Sequence, residues 1–170
     1  LRPERQFLQV GAECIGESSC LADVEMLDLA YQALTTIGIK NISIDLSSSE
    51  FLNYILRKIN QKSQLNKLKI FIKRKDYSNC IKFIDRPLHN YIKNLFSCTG
   101  ALSEKIKIIN HLAVDNKTST AKENLILIYS KFKSKYPNVN FFLDLTENDY
   151  LNYHTGTKFT FYAKDVRGEV

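Results

Sequence analysis

The chain has 170 residues, of which 44% are hydrophobic, 11% aromatic and 25% charged, so it can bury one substantial core. This composition excludes a disordered chain, and no apolar run is long enough to cross a bilayer. The net charge of +6 comes from scattered lysines with no regular basic–aromatic pattern, so we expect a solvated basic face and no nucleic-acid partner.

The first elements of the chain alternate between strand and helix patterns. The segment 6–10 has a strand pattern, and an amphipathic helix is predicted from about Ala22 to Ile37, with Gly38 as its stop signal. Apolar residues then alternate with polar ones over 42–46, which predicts a half-buried strand. The run Ser47-Ser48-Ser49-Glu50 predicts a capping box, in which a Ser is followed three residues later by Glu, at the start of a second helix.

The middle of the chain, from 62 to 116, is ambiguous by periodicity. The apolar residues at 68–72 alternate as in a strand, but the same stretch also fits one face of a helix. A short helix is predicted after Pro87, with Gly100 closing it.

The last third begins with a long helix, predicted from about Thr118 to Tyr136 and followed by Pro137. Alternating residues then predict strands at 139–145 and 159–161, which we interpret as a terminal hairpin with a turn at Thr155-Gly156. Strands separated by long helices predict an α/β or α+β domain with a mixed sheet.

Cysteine usage and the chain ends bear on chemistry and location. The four cysteines are Cys14, Cys20, Cys80 and Cys98, and they form no CxxC pair and no Cys–His set at metal-ligand spacing. We therefore predict reduced structural thiols, no metal and no cofactor. No signal or transit peptide is recognisable, which favours a cytoplasmic protein, and the start without Met leads us to expect a fragment of a longer chain.

Two blocks of sequence resemble the histidyl-tRNA synthetases and their relatives. The string from Arg5 to Gly16, followed by Ala22-Asp23-Val24-Glu25, resembles the region after motif 2. The string from Tyr153 to Phe159, followed by Phe161-Tyr162, resembles the histidine-site turn and strand. The resemblance covers nearly the whole chain, so it implies an α+β, class II synthetase-like antiparallel sheet flanked by helices, truncated at both ends. It further implies one domain over 1–170, with a mostly helical insert at about 62–116.

One position separates the synthetases from their regulatory relatives. In the synthetases the signature Arg-Gly-Leu-Asp-Tyr-Tyr places an Arg at the α-phosphate of ATP, where it stabilises developing negative charge. Aligning Tyr153-His154 with the Tyr-Tyr pair puts Asp149 at that Arg position, which would repel the phosphate. The chain is therefore most similar to the regulatory subunits of ATP phosphoribosyltransferase, which commonly carry Tyr-His-Thr-Gly there. This resemblance implies a non-catalytic subunit that assembles with a short-form catalytic subunit, supports histidine feedback and self-associates.

The same resemblance supplies candidate histidine-binding residues. Gln9 matches a position that holds the ammonium and carboxylate end of the amino acid, and Glu13 a position that accepts the imidazole N–H. Tyr153 and His154 match the adjacent wall, although His154 departs from the synthetases, which have a Tyr. From the residues alone, Gln9 and Glu13 are interpreted equally well as ordinary polar residues on a strand edge, with no ligand.

Two other functions remain open from the sequence. One is a catalytic-domain fragment of a divergent histidyl-tRNA synthetase, which would require another Arg, with Arg167 as the nearest candidate. The other is a synthetase-like domain of a regulatory kinase that senses tRNA.

Overall fold

The computed structural model describes residues 9–147 and 156–164. The helices are α1 (Cys20–Thr36), α2 (Ser49–Leu56), α3 (Lys62–Lys73), α4 (Tyr77–Cys80), α5 (His89–Ser97), α6 (Leu102–Asn110) and α7 (Asn116–Lys135), with short 3-10 turns at Ile81–Phe83 and Arg86–Leu88. The strands are β1 (Ile42–Ser48), β2 (Thr99–Ala101), β3 (Asn140–Asp144) and β4 (Thr157–Ala163).

The four described strands form one sheet in the order β2-β3-β1-β4. β1 runs parallel to β3 and antiparallel to β4, and β2 runs antiparallel to β3. The sheet is therefore mixed, as the strand pattern predicted. The predicted terminal hairpin is wrong, because β1 lies between β3 and β4 and hydrogen bonds to both. Local alternation cannot reveal a partner that comes about a hundred residues earlier in the chain.

Helices cover one face of this sheet, and the core lies between them and the strands. Ile44 and Leu46 of β1 are fully buried on the helical face. On the same face Phe141 of β3 meets α7, with its ring centroid 5.5 Å from those of Tyr129 and Phe132. α1 packs on α7 through an edge-to-face contact of Tyr31 and Phe132 at 5.3 Å. The inward residues of β1 and the apolar side of α7 thus produce the period-2 and helical patterns in the sequence.

The predicted helices α1, α2 and α7 are confirmed to within a few residues, whereas the predicted capping box is wrong. The N-cap of α2 is Ser48, whose side chain forms no cap hydrogen bond. Ser47 instead donates to Glu147 Oε2 at 3.3 Å, and Glu50 accepts from Arg57 at 3.0 Å. Both side chains that the local motif would use are therefore bonded elsewhere, Ser47 to a distant residue and Glu50 to the residue that ends α2.

A capping box occurs instead at the start of α7. Asp115 Oδ1 accepts from the Thr118 backbone N–H at 2.8 Å, and Thr118 Oγ1 accepts from the Asp115 N–H at 3.0 Å. Thr118 is fully buried and its hydroxyl also accepts from the Val114 N–H at 3.0 Å. The motif has Asp and Thr in place of the commoner Ser and Glu, which is why the sequence pattern did not identify it.

The segment between α2 and α7 contains helices α3 to α6. Residues 68–72 lie within α3, which confirms the helical alternative there. The helix α5 is confirmed, but Gly100 does not close it. Gly100 lies within the short strand β2 and has φ +122°, a conformation that glycine tolerates and other residues rarely adopt.

The opening strand is not formed at the two of its residues that the structure describes. Gln9 and Val10 have no regular secondary structure, and residues 6–8 lie outside the described ranges. Val10 is 98% exposed and Ile15 is 88% exposed, so these apolar side chains have no packing partner among the described residues.

Candidate functional site

The four residues predicted to bind histidine are only partly placed by the structure. Gln9 and Glu13 are exposed and lie before α1, outside any helix or strand. Tyr153 and His154, like Asp149 and Arg167, lie outside the described residues, so their roles remain predictions. The described residues therefore do not bring Gln9 and Glu13 into a pocket.

The described residues on either side of segment 148–155 meet at one end of the sheet. Glu147 precedes the segment and Lys158 follows it, and Glu147 Oε1 lies 2.8 Å from Lys158 Nζ. Ser47, at the end of β1, donates to the other carboxylate oxygen of Glu147 at 3.3 Å. The described residues on either side of the segment that carries Tyr153 and His154 thus contact each other and the end of β1.

An anchored carboxylate lies beside this point on the outer face of the sheet, which we define as the face bearing Asp45 and Phe142. Asp144, the last residue of β3, accepts from Lys75 Nζ, which lies 2.7 Å from Oδ1 and 2.5 Å from Oδ2. The Thr146 backbone N–H and hydroxyl also donate to it, at 2.9 and 2.7 Å. Burial alone would raise the pKa of Asp144, but these hydrogen bonds hold the pKa below its ordinary value.

Asp45 on the neighbouring strand has the opposite environment. Burial, and then the negative charges of Asp144 and Glu147, raise its pKa to about 6, while Lys75 and Lys158 oppose part of that rise. Its Oδ1 is buried and has no hydrogen-bond partner in the part of the chain that the structure describes. A carboxylate on a sheet face that has an unsatisfied oxygen and a raised pKa is a candidate for ligand binding.

A small cavity of about 260 Å³ opens beside Asp45 on this outer face. Its walls include Phe142, which is 42% exposed and pairs with Asp45 across β1 and β3, and Tyr162 of β4, which is 41% exposed. Exposed aromatic rings around a carboxylate suit a planar or cationic group that donates hydrogen bonds, such as an imidazole or an ammonium.

The charges near this cavity disfavour a polyphosphate. Three carboxylates, those of Asp45, Asp144 and Glu147, stand against the ammonium groups of Lys75 and Lys158. The sum at neutral pH is a single negative charge, which would repel the phosphates of ATP if they approached this end of the sheet. No sequence motif marks this group, because its members lie in β1, β3 and β4 and just after α3 and β3. Asp45 itself alternates with apolar residues, as an ordinary outward-facing strand residue does.

Several other classes of site find no support within residues 9–147 and 156–164. No group of three or more His, Cys, Asp or Glu side chains there could hold a metal ion. No helix in those ranges is long and apolar enough to cross a membrane. All four cysteines are free thiols, and burial raises the pKa of Cys80 to about 12 and that of Cys98 to about 11, which makes both poor nucleophiles at neutral pH.

Comparison with known proteins places the chain in a family. The family model described as Histidyl-tRNA synthetase matches residues 1–170, the whole chain. The chain belongs to the histidyl-tRNA synthetase family. This membership is in keeping with the α+β architecture of a sheet flanked by helices that the sequence resemblance predicted, although β1 and β3 run parallel and not antiparallel.

Within the histidyl-tRNA synthetase family, two similar curated proteins are named regulatory subunits. The ATP phosphoribosyltransferase regulatory subunit of Rhodospirillum centenum is 26% identical over 171 residues, which cover 100% of this chain and 44% of that protein. The corresponding protein of Clostridium botulinum strain Langeland is 30% identical over 169 residues, covering 95% of this chain and 40% of that protein. The chain therefore spans less than half the length of these relatives.

A solved structure supports the fold. The ATP phosphoribosyltransferase regulatory subunit/histidyl-tRNA synthetase from Bacillus halodurans superposes with a TM-score of 0.74 at 21% identity, covering 91% of this chain and 42% of that one. At this identity the match shows that the two share a class II synthetase-like fold.

Proposed function

We propose that this chain is part of a regulatory subunit of ATP phosphoribosyltransferase, a non-catalytic family member that assembles with a short-form catalytic subunit and transmits feedback by histidine. The observation that carries the proposal is the match to proteins named as such subunits, which extends over 100% of the chain for the Rhodospirillum centenum protein. On this proposal the protein is cytoplasmic, self-associates and takes histidine as its ligand.

The chemistry of the chain supports a role without adenylation. Asp149 stands where the synthetase signature has the Arg that faces the α-phosphate, so that position would repel ATP. The outer face beside Glu147 carries a net negative charge, and its cavity offers a carboxylate and two aromatic rings. Both features suit a small nitrogenous ligand better than a nucleotide triphosphate.

Assembly and feedback provide the first test. The full-length protein, mixed with a short-form phosphoribosyltransferase from the same organism, should co-elute with it on gel filtration and raise its activity. Histidine should then inhibit the complex. A stable assembly buries on the order of 2,000 Å² and should survive at micromolar concentration. Separate elution with unchanged transferase activity would contradict the proposal.

Synthetase activity provides the second test and addresses the remaining alternative in the same family. The full-length protein, incubated with ATP, histidine and labelled pyrophosphate, should show no exchange above an enzyme-free blank. An authentic histidyl-tRNA synthetase run in parallel serves as the positive control. Exchange clearly above the blank would make the chain part of a catalytic synthetase instead.

A further inference from the structure

A second cleft, of about 350 Å³, lies beside Ser48 at the end of β1 and shares no lining residue with the Asp45 cavity. It is bounded by the end of β1, the first turn of α2, the first turns of α7 and the start of β4. The polar side chains on its walls are those of Ser48, Glu50, Asn116, Lys117, Thr120, Asn124 and Thr157. Nothing in the proposed regulatory role uses these residues.

The hydroxyl of Ser48 lines this cleft without making the cap hydrogen bond expected at its position. Ser48 is only 3% exposed and lies at the N-cap of α2 with extended backbone angles, φ −144° and ψ 126°. A serine at this position normally accepts from a backbone N–H in the first turn, but the side chain of Ser48 makes no such bond. No hydrogen bond of this hydroxyl occurs within the described residues, although it lines the cleft. The hydroxyl of this largely buried serine and the first N–H groups of α2 are therefore available to an acceptor in the cleft.

The charges around the cleft favour a small anion. Arg57 binds Glu50 at 3.0 Å and Asp115 at 3.5 Å, so both nearby carboxylates have a cationic partner. Lys117 forms no ion pair with any carboxylate in the described ranges. These four side chains sum to zero formal charge, and each of the two helix N-termini adds roughly half a positive charge. The field therefore suits one negative charge and not several.

We propose that this cleft binds a singly charged oxyanion, either a carboxylate or a phosphate monoanion. Ser48 and the first N–H groups of α2 donate to its oxygens, and the ammonium of Lys117 balances its charge. Thr120 and Thr157 provide further hydroxyl donors on the walls. This site lies beyond the proposed regulatory function, and its test does not depend on the catalytic partner.

The test measures thermal unfolding of the full-length protein in slightly acidic buffer, where inorganic phosphate is mainly singly charged. Sodium chloride is replaced stepwise by sodium phosphate or by sodium acetate at constant ionic strength. A bound anion adds RT ln(1 + [anion]/Kd) to the free energy of unfolding and so raises Tm, and the concentration dependence of Tm yields an apparent Kd. A gain with phosphate alone identifies a phosphate site, and a gain with acetate as well identifies a site for carboxylates.

Three variants separate specific binding from a general salt effect. Lys117→Met should weaken the apparent affinity about tenfold, because it removes a charged donor. Ser48→Ala should weaken it about two- to tenfold, as expected for one neutral hydrogen bond, with little change of Tm in chloride. Lys131→Met, which removes an exposed lysine from the same helix far from the cleft, should titrate like the parent. The same Tm gain in the parent and in both cleft variants, or no gain over chloride, would overturn the proposal.

Discussion

The ammonium of Lys75, just after α3, lies 2.7 Å from Oδ1 of Asp144 at the end of β3. Lys75 also donates to the Thr146 hydroxyl. Its own backbone has φ +56°, a left-handed conformation that is uncommon outside glycine. The contact joins the helical segment to the sheet directly beneath the Asp45 cavity.

Lys75→Met should destabilise the full-length protein by about 1 kcal/mol at neutral pH, since the pair is partly exposed and partly screened. Met keeps a Cβ at position 75, so the backbone strain is unchanged. Because the folded-state pKa of Asp144 is lowered, this stability is present above the ordinary pKa of 3.8 and is lost as the pH falls through the folded value. Urea unfolding should therefore show a smaller difference in acid, while Lys67→Met on the exposed side of α3 should cost little at any pH. A difference that does not change with pH would contradict this role for the pair.

Asp45→Asn should stabilise the protein at slightly alkaline pH by about 1 kcal/mol, because it removes a desolvated charge next to two other carboxylates. The folded-state pKa of Asp45 is raised to about 6 from 3.8, so the folded protein binds the proton more tightly. Parent stability should accordingly decline as the pH rises from 4 to 6, and the variant should lose that part of the slope. Urea unfolding across this range measures it, with the exposed Asp85→Asn as the control. Parallel pH profiles for parent and Asp45→Asn would contradict the prediction.

Thr118→Val should destabilise the protein by about 1–2 kcal/mol, within the range for loss of a helix cap. Valine keeps the shape of the fully buried side chain but removes the hydroxyl that accepts from the Val114 and Asp115 N–H groups. Hydrogen exchange at the first turn of α7 should accelerate in the variant. Ser119→Ala, one residue further along the helix, provides the control and should leave exchange there unchanged.

Glu13→Gln should weaken histidine inhibition of the assembled complex about ten- to a hundredfold if Glu13 accepts the imidazole N–H, because a hydrogen bond to a charged group contributes roughly 1.5–3 kcal/mol. Gln9→Ala should act in the same direction, with a smaller effect, since water replaces part of an amide contact. Calorimetric titration with histidine measures both on complexes shown to be intact. Glu25→Gln, an exposed residue of α1, is the control. Parent-like titration of both variants would place the histidine site elsewhere.

Local patterns predicted those elements whose signals are local. The period-2 alternation of β1 and the helical spacing of α7 arise from residues that face the core, so each element could be located from its own sequence. The three-residue strand β2 could not, because it contains a glycine and is defined only by pairing with β3. The position of β1 between β3 and β4 likewise depends on long-range pairing that no local window contains.

The candidate sites were harder to predict than the fold. The Asp45 cavity and the Ser48 cleft each assemble side chains from three or more elements, so their members are adjacent only after folding. A partial signal existed in α7, where Asn116, Thr120 and Asn124 recur every four residues and form a polar stripe on a helix otherwise read for its apolar face. The predicted histidine residues came from family resemblance, and those at 153 and 154 remain predictions.

The strand order has a consequence for how the protein is made. Ser43 of β1 pairs with Tyr162 of β4, which follows it by 119 positions. At a synthesis rate of roughly 5–20 residues per second, β1 emerges from the ribosome on the order of ten seconds before its second partner. During most of that interval neither of the two described strands that pair with β1 has been made, because β3 also lies late in the chain. The nascent chain should therefore depend on chaperones most strongly while the helices between β1 and β3 are being translated.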